Sequence, residues 1–133
     1  MKEVIRKWFK FAESDLEAAE YLFHNPRANQ WTFLLVVWHC HQAIEKILKA
    51  MLIQQSKELL HIHDLPRLLK FVGFADFTAA QTDFLFELNQ YYLMPRYPDL
   101  PLKKSYPLIT KNKSERVLNK TKDIFLCLVK NLN

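Results

Sequence analysis

Apolar residues recur every three or four positions along three long segments of the chain, a spacing typical of amphipathic helices. The first segment runs from Glu3 to Phe23, and the second runs from Gln30 to about Gln55. The second is so apolar through its first half that we expect it to lie centrally, with other helices on most sides. The third begins at Ser114, and its stripe from Val117 to Leu128 is predicted to face inward. These segments predict three long helices.

Two shorter helices are predicted between the second and third segments. Asp64 is a plausible N-cap, and a proline follows in the first turn, so we predict a short helix over Leu65–Val72 that stops at Gly73. A fourth helix is predicted over about Thr78–Leu93. Four prolines make residues 94–109 non-helical, and loops of this length are often functional. The predicted fold is therefore all-α: an up-and-down four-helix bundle with one short extra helix and a long Pro-rich loop before the last helix.

Composition narrows both the fold and the classes of function. The chain has 133 residues, which suits a single domain over positions 1–133, and no repeat or linker divides it. Gly73 is the only glycine, which argues against a β-rich fold and against the glycine-dependent Walker and dinucleotide-binding loops. The formal net charge of +5 is compatible with phosphate-bearing partners, but the basic residues are scattered and this excess alone is weak support.

The sequence also predicts a cytoplasmic protein without a membrane anchor. The segment from Met1 to Lys10 is charged and lacks the apolar core of a signal peptide. The most apolar run, Trp31 to Trp38, is far shorter than the ~20 residues that span a bilayer. Cys40 and Cys127 lie within apolar segments, so we expect reduced, buried thiols.

Polar residues with chemical potential concentrate on the second helix. His41, Glu45 and Lys49 are spaced four apart and therefore stack on one face, with Gln42 and Lys46 beside them. Taken alone, this set is more simply explained as a solvated stripe supported by charge pairs along the helix. Buried or half-buried acids need partners, however, and other parts of the chain offer them.

Three further polar clusters accompany the second helix. His61, His63 and Asp64 lie in the connector before the short helix, and the long loop opens with Arg96-Tyr97-Pro98-Asp99. Asp15 lies on the first helix, on roughly the same side as its apolar stripe. An arginine and a tyrosine in the loop could reach Glu45, the one acidic residue of the second helix. Such a network suits a binding site, but it equally suits a clamp that holds the loop to the bundle.

Metal and nucleophile chemistry are both disfavoured. His39 and His41 are two apart on a helix and point away from each other, so they cannot chelate one ion. His41 with Glu45, or His61 with His63 in an extended connector, would suit a metal better, but no metalloprotease motif is present and we predict no metal and no cofactor. No serine lies in a G-x-S-x-G turn, and neither cysteine has a predictable base beside it, so we assign no catalytic residue.

Four motifs in sequence resemble the HEPN domain family over nearly the whole chain, weakening after Tyr106. They are Trp8-x3-Ala12-x2-Asp15-Leu16-x2-Ala19, His41-Gln42-Ala43-Ile44-Glu45-Lys46-x-Leu48-Lys49-Ala50, His63-Asp64-Leu65-x2-Leu68-Leu69 and Tyr92-x3-Arg96-Tyr97-Pro98-Asp99. The resemblance implies a helical bundle, commonly a homodimer, often encoded beside a minimal nucleotidyltransferase, that binds a nucleotide or RNA. It also implies that some relatives are RNases acting as toxins.

Those nucleases carry an arginine followed after four to six residues by a histidine, and no arginine of this chain has a histidine at that spacing. The chain therefore resembles the non-nuclease branch. The binding residues that we predict are His41, Glu45, Lys46, Lys49, His63, Asp64, Arg96, Tyr97 and Asp99. Lys103 and Lys104 are expected to add phosphate contacts, and Tyr91, Tyr92, Tyr97 and Tyr106 offer faces for base stacking or, equally, for closing the bundle. The alternatives are a metal-independent RNase in which Arg96 stabilises charge and His63 or Tyr97 is the base, and a purely structural interaction domain.

Overall fold

The computed structural model describes residues 2–74, 76–92 and 109–132, and these residues form five helices without a strand. The helices are α1 (Glu3–Phe23), α2 (Gln30–Gln54), α3 (Leu65–Val72), α4 (Ala79–Asn89) and α5 (Lys111–Val129). The predicted helical bundle with one short extra helix is confirmed.

Side-chain caps explain where α2, α4 and α5 begin. The Asn29 side chain accepts the backbone N–H groups of residues 31 and 32 at the start of α2, and Thr78 accepts the N–H of residue 81 at the start of α4. Thr110 accepts the Lys113 N–H, so α5 begins at Lys111 rather than at the predicted Ser114. The Ser114 hydroxyl is buried and donates to the Lys111 carbonyl inside the first turn, so it does not serve as a cap.

The structure also corrects the end of α4. This helix ends at Asn89, and residues 90–92 form turns, whereas the spacing of apolar residues predicted a helix as far as Leu93. The Asn89 side chain accepts the backbone N–H of Leu65, which ties the end of α4 to the first residue of α3. A long-range hydrogen bond of this kind leaves no trace in local periodicity.

The central position predicted for α2 is confirmed, since α2 packs against each of the other four helices. Its fully buried apolar side chains are Val36, Val37, Cys40, Ala43, Ile44, Ile47, Leu48, Ala50 and Leu52. Full burial of one Leu or Ile side chain contributes roughly 1.5–3 kcal/mol, so these side chains are a large part of what holds the bundle together. Burial also raises the pKa of the Cys40 thiol to about 12, and Cys127 is half-buried and likewise a free thiol.

The connector between α2 and α3 leads into a helix that is capped at both ends. The Asp64 carboxylate accepts the Arg67 N–H at 3.3 Å and so caps α3 as predicted. Gly73 ends the helix in the left-handed region at φ +71°, where a residue without a side chain is favoured. This arrangement places residues 61–64 alongside α2. None of the described helices is both long enough and apolar enough to cross a membrane.

Candidate functional site

A charged cluster lies inside the bundle on one face of α2. His41, Glu45 and Lys49 are four residues apart, and their exposed fractions are only 0%, 4% and 6%. The predicted common face is therefore directed inward rather than into solvent. Burying an ammonium and a carboxylate is costly unless each finds a partner, so the contacts of this cluster decide what it can do.

Glu45 is the centre of the cluster because each of its carboxylate oxygens has a separate donor. Lys49 Nζ donates to Glu45 Oε2 at 2.9 Å, within the same helix. His63 Nδ1 donates to Glu45 Oε1 at 2.9 Å from the connector, eighteen residues away along the chain. The buried acid thus neutralises a buried lysine and fixes the orientation of the His63 ring at the same time.

His41 is held as a neutral imidazole. Its Nε2–H donates to the His63 backbone carbonyl at 3.0 Å, which leaves Nδ1 as an acceptor for the Gln42 amide at 3.3 Å. Burial is the largest influence and lowers the pKa of His41 from 6.5 to about 4, although the nearby Glu45 opposes this shift. The 3.9 Å approach of His41 Nδ1 to Glu45 is therefore not an ion pair at neutral pH.

One edge of the cluster reaches the surface at His63. Its side chain is 45% exposed, and its ring stacks on Tyr92 with ring centroids 4.2 Å apart and planes 17° apart. The Tyr92 carbonyl accepts a hydrogen bond from Trp38 Nε1 at 3.2 Å, which fixes the turn after α4 against α2. The site therefore presents a flat, partly exposed aromatic surface with a buried charge network directly behind it.

Lys46 belongs to a second cluster, on the seam between α1 and α2. Its Nζ forms an ion pair with Asp15 Oδ2, and it lies 3.4 Å from the centre of the Phe11 ring. His39 Nδ1 contacts the other Asp15 oxygen at 2.8 Å. The structure does not bring Lys46 to Glu45, because adjacent residues on a helix point about 100° apart.

The two clusters account for the pair formed by His39 and His41. His39 contacts Asp15 while His41 contacts the connector, so the expectation that these two rings point apart is confirmed. Across residues 2–74, 76–92 and 109–132, no three His, Cys, Asp or Glu side chains come together in a way that could hold a metal ion.

Of the remaining predicted residues, two lie in the described part of the chain and the others lie outside it. Asp64 is engaged as the cap of α3 and lies next to the cluster without joining it. Tyr91 is fully buried, so its ring closes the bundle and has no free face for a base. Several predicted residues lie outside the described ranges, namely Arg96, Tyr97, Asp99, Lys103, Lys104 and Tyr106.

The sequence did not predict the contacts that join each charged cluster to residues from other parts of the chain. It singled out Asp15 but did not connect it with His39 and Lys46, although these two are seven apart and so share a face of α2. It also did not foresee the stacking of His63 on Tyr92. The position of Asp15 on the apolar side of α1 was the available signal for its contacts with α2. No local pattern in the sequence predicts the stacking of His63 on Tyr92.

Solved structures with a similar fold are known. The crystal structure of TT1696 from Thermus thermophilus matches with a TM-score of 0.80 and 20% sequence identity, covering 98% of this chain and 100% of that chain. The crystal structure of ST0689, an archaeal HEPN homologue, matches with a TM-score of 0.73 and 24% identity, covering 100% of both chains. At these identities, the likeness establishes a shared fold.

Sequence comparison extends the similarity from fold to family. Comparison with curated proteins finds no significant match. The family model for the HEPN domain, in contrast, matches residues 5–132, which is nearly the whole chain and includes both charged clusters. The chain therefore belongs to the HEPN domain family.

Proposed function

We propose that this chain is a nucleotide- or nucleic-acid-binding HEPN module whose site is built around Glu45 and His63. The observation that carries the proposal is a buried Glu45–Lys49 pair that positions a half-exposed His63 ring stacked on Tyr92. A buried ion pair is weak support for stability, since apolar residues of similar volume often do as well or better. Buried charged groups with specific partners are instead often found at functional sites.

The chemistry of the surface suits a nucleotide. A purine or pyrimidine can stack against the paired rings of His63 and Tyr92, a contact worth about 1–3 kcal/mol per base in single-strand binders. Lys49 is already neutralised by Glu45, so the proposal assigns the phosphate contact to Arg96, because arginine is preferred for forked recognition. Tyr97 and Asp99 follow Arg96 in the same motif, and we include both in the proposed binding site.

A dimer and a nucleotidyltransferase partner belong to the same proposal, with the family membership as their main support. Large apolar side chains exposed on α1 and α2 are compatible with a subunit contact: Phe11 is 58% exposed, Trp31 60% and Leu35 39%. Light scattering of the purified chain measures its mass directly, and co-purification with the product of the neighbouring reading frame tests the partner. A monomer that purifies alone would contradict both.

A second candidate is a metal-independent RNase, and one contact favours it. His63 donates Nδ1–H to Glu45, which leaves Nε2 as the ring nitrogen outside this contact, with a lone pair directed away from Glu45. A carboxylate that orients an imidazole in this way is the arrangement found in acid–base catalysis. RNA cleavage that is abolished in His63→Gln and Arg96→Ala would establish this candidate, and intact RNA in the presence of wild type would exclude it.

The proposed binding is tested by thermal denaturation with a panel of nucleotides and short RNAs. A ligand present at a hundred times its Kd adds about 2.7 kcal/mol, which raises the midpoint by several degrees in a domain of this size. We expect this rise in wild type and in the exposed control Arg27→Ala, and we expect its loss in His63→Ala and Arg96→Ala.

The ligand-induced rise is compared within each variant, so any loss of intrinsic stability cancels. No rise in wild type with any ligand, or an equal rise in all four proteins, would overturn the proposal. Unfolding of Arg96→Ala without ligand would instead support the structural alternative, in which the polar set clamps the loop to the bundle.

A further inference from the structure

An open cleft of about 810 Å³ separates α3 from α4 and lies beside the candidate site. It begins at Asp64, the residue after His63, and continues along the exposed side of α3. Its lining consists of Asp64, Pro66, Arg67, Lys70, Phe71 and Phe86. Phe86 is 62% exposed and Phe71 is 45% exposed, so two flat apolar rings face solvent in one cleft.

The charge in this cleft is positive and available to a ligand. Arg67 and Lys70 are exposed, and within the described part of the chain no carboxylate forms an ion pair with either. Lys49 and Arg116, in contrast, are each paired with a glutamate. The acid in the lining, Asp64, is already used as the cap of α3.

Two exposed aromatic rings flanked by two exposed cations form the combination that binds single-stranded nucleic acids. Bases stack on aromatic side chains without regard to sequence, while Lys and Arg track the phosphates. The Arg67 guanidinium is 6.0 Å from the centre of the Phe71 ring, so it lies at the outer limit of cation–π range and remains available to an anion. A neutral peptide helix would satisfy the two rings but leave both charges without a counter-ion.

We propose that the α3–α4 cleft is a second subsite, which binds the next nucleotides of a single-stranded nucleic acid whose first base lies at His63. Phe86 and Phe71 stack bases, and Arg67 and Lys70 contact phosphates. This inference rests on the proposed function and makes it more specific: the ligand of the chain is an oligonucleotide, and a mononucleotide fills only the His63 end.

The test measures binding of fluorescein-labelled oligouridylate of about ten nucleotides by anisotropy, with uridine monophosphate as a competitor and oligothymidylate to separate RNA from DNA. Phe86→Ala is compared with Tyr21→Ala, in which an exposed aromatic residue is removed from α1. The double variant Arg67→Ala/Lys70→Ala is compared with Arg27→Ala/Lys130→Ala, which removes two exposed cations elsewhere.

We expect Phe86→Ala to weaken oligonucleotide binding by about fivefold or more, because one stacked base is lost. The Arg67→Ala/Lys70→Ala variant is expected to reduce the slope of log K against log salt by roughly 1.4, since each phosphate contact to a single strand contributes about 0.7. Affinity for uridine monophosphate is expected to stay unchanged in both, and the two control variants are expected to resemble wild type in every measurement.

Unchanged oligonucleotide affinity in both cleft variants, with binding lost in His63→Ala, would overturn the second subsite and leave the proposed function standing. Equal affinity of wild type for mononucleotide and oligonucleotide would overturn the subsite in the same way. Absence of any nucleotide or oligonucleotide binding by wild type would remove the proposed function itself.

Discussion

Acidification is expected to destabilise this domain through His41, whose ring is completely buried. Its pKa is lowered from 6.5 to about 4, because the cationic form would have to give up its hydration inside the bundle. The unfolded chain therefore binds a proton between these two pH values and the folded chain does not. A group that is harder to protonate when folded contributes stability above its unfolded pKa, and this contribution is lost as the pH falls from 6.5 toward 4.

The magnitude follows from the shift. Protonation of His41 in the unfolded chain lowers the free energy of unfolding by about 3 kcal/mol at pH 4. About 2 kcal/mol of this decrease occurs between pH 7 and pH 5. Total stabilities of domains are about 5–15 kcal/mol, so this one ring controls a large share. The groups that face it are Gln42, Glu45, His63, Asn89 and Tyr92. The Glu45 carboxylate works in the opposite direction, because it favours the cation.

Urea denaturation of wild type and His41→Gln at pH 7 and pH 5 isolates this contribution. The glutamine amide can replace the imidazole Nε2–H as donor to the His63 carbonyl but does not titrate. We expect the difference in unfolding free energy between the two proteins to shift by about 2 kcal/mol in favour of the variant at pH 5. Titration of groups common to both proteins cancels in this difference. If this difference in unfolding free energy stays constant between the two pH values, or shifts in favour of wild type, then His41 accepts a proton in the folded state and pairs with Glu45.

Substitutions at three further positions test other parts of the structure. Glu45→Gln leaves the Lys49 ammonium buried without a counter-ion, so we expect a loss of roughly 3–5 kcal/mol in urea denaturation; a loss below about 1 kcal/mol would mean that Lys49 reaches water. Gly73→Ala forces a side chain into the left-handed region, and thermal melting is expected to show a cost of about 1–2 kcal/mol, although the new Cβ meets only Lys57 Nζ at 4.0 Å. Gly73→Asn is expected to lose less stability than Gly73→Ala, and equal losses for both would mean that side-chain packing rather than backbone strain is responsible. Arg116→Ala removes an ion pair with Glu87 that is partly exposed, so the expected loss is below about 1 kcal/mol, and a larger one would contradict the solvent screening of this pair.

Local patterns were sufficient for most of the helical framework. The apolar spacing located α1 at Glu3–Phe23, and the predicted cap Asp64 together with Gly73 located α3 at Leu65–Val72; both ranges are the bounds that the structure has. Periodicity works here because a helix repeats about every 3.6 residues, so a buried stripe is visible without knowledge of what covers it. It was insufficient at Thr110 and Asn89, where a capping hydroxyl and a hydrogen bond to a distant residue decided the helix ends.

For the candidate site, the sequence determined which residue types share a face of α2, and it placed Glu45 with His41 and Lys49 by their spacing alone. Only the tertiary structure decided that this face is buried, that His63 is the second donor to Glu45, and that Lys46 is directed to Asp15 instead. The reason is that helix geometry fixes the direction of each side chain around the axis but does not fix which other segment the side chain contacts. Residues one position apart diverge by about 100°, so whether each one meets solvent, a connector or another helix depends on packing between segments far apart in the chain.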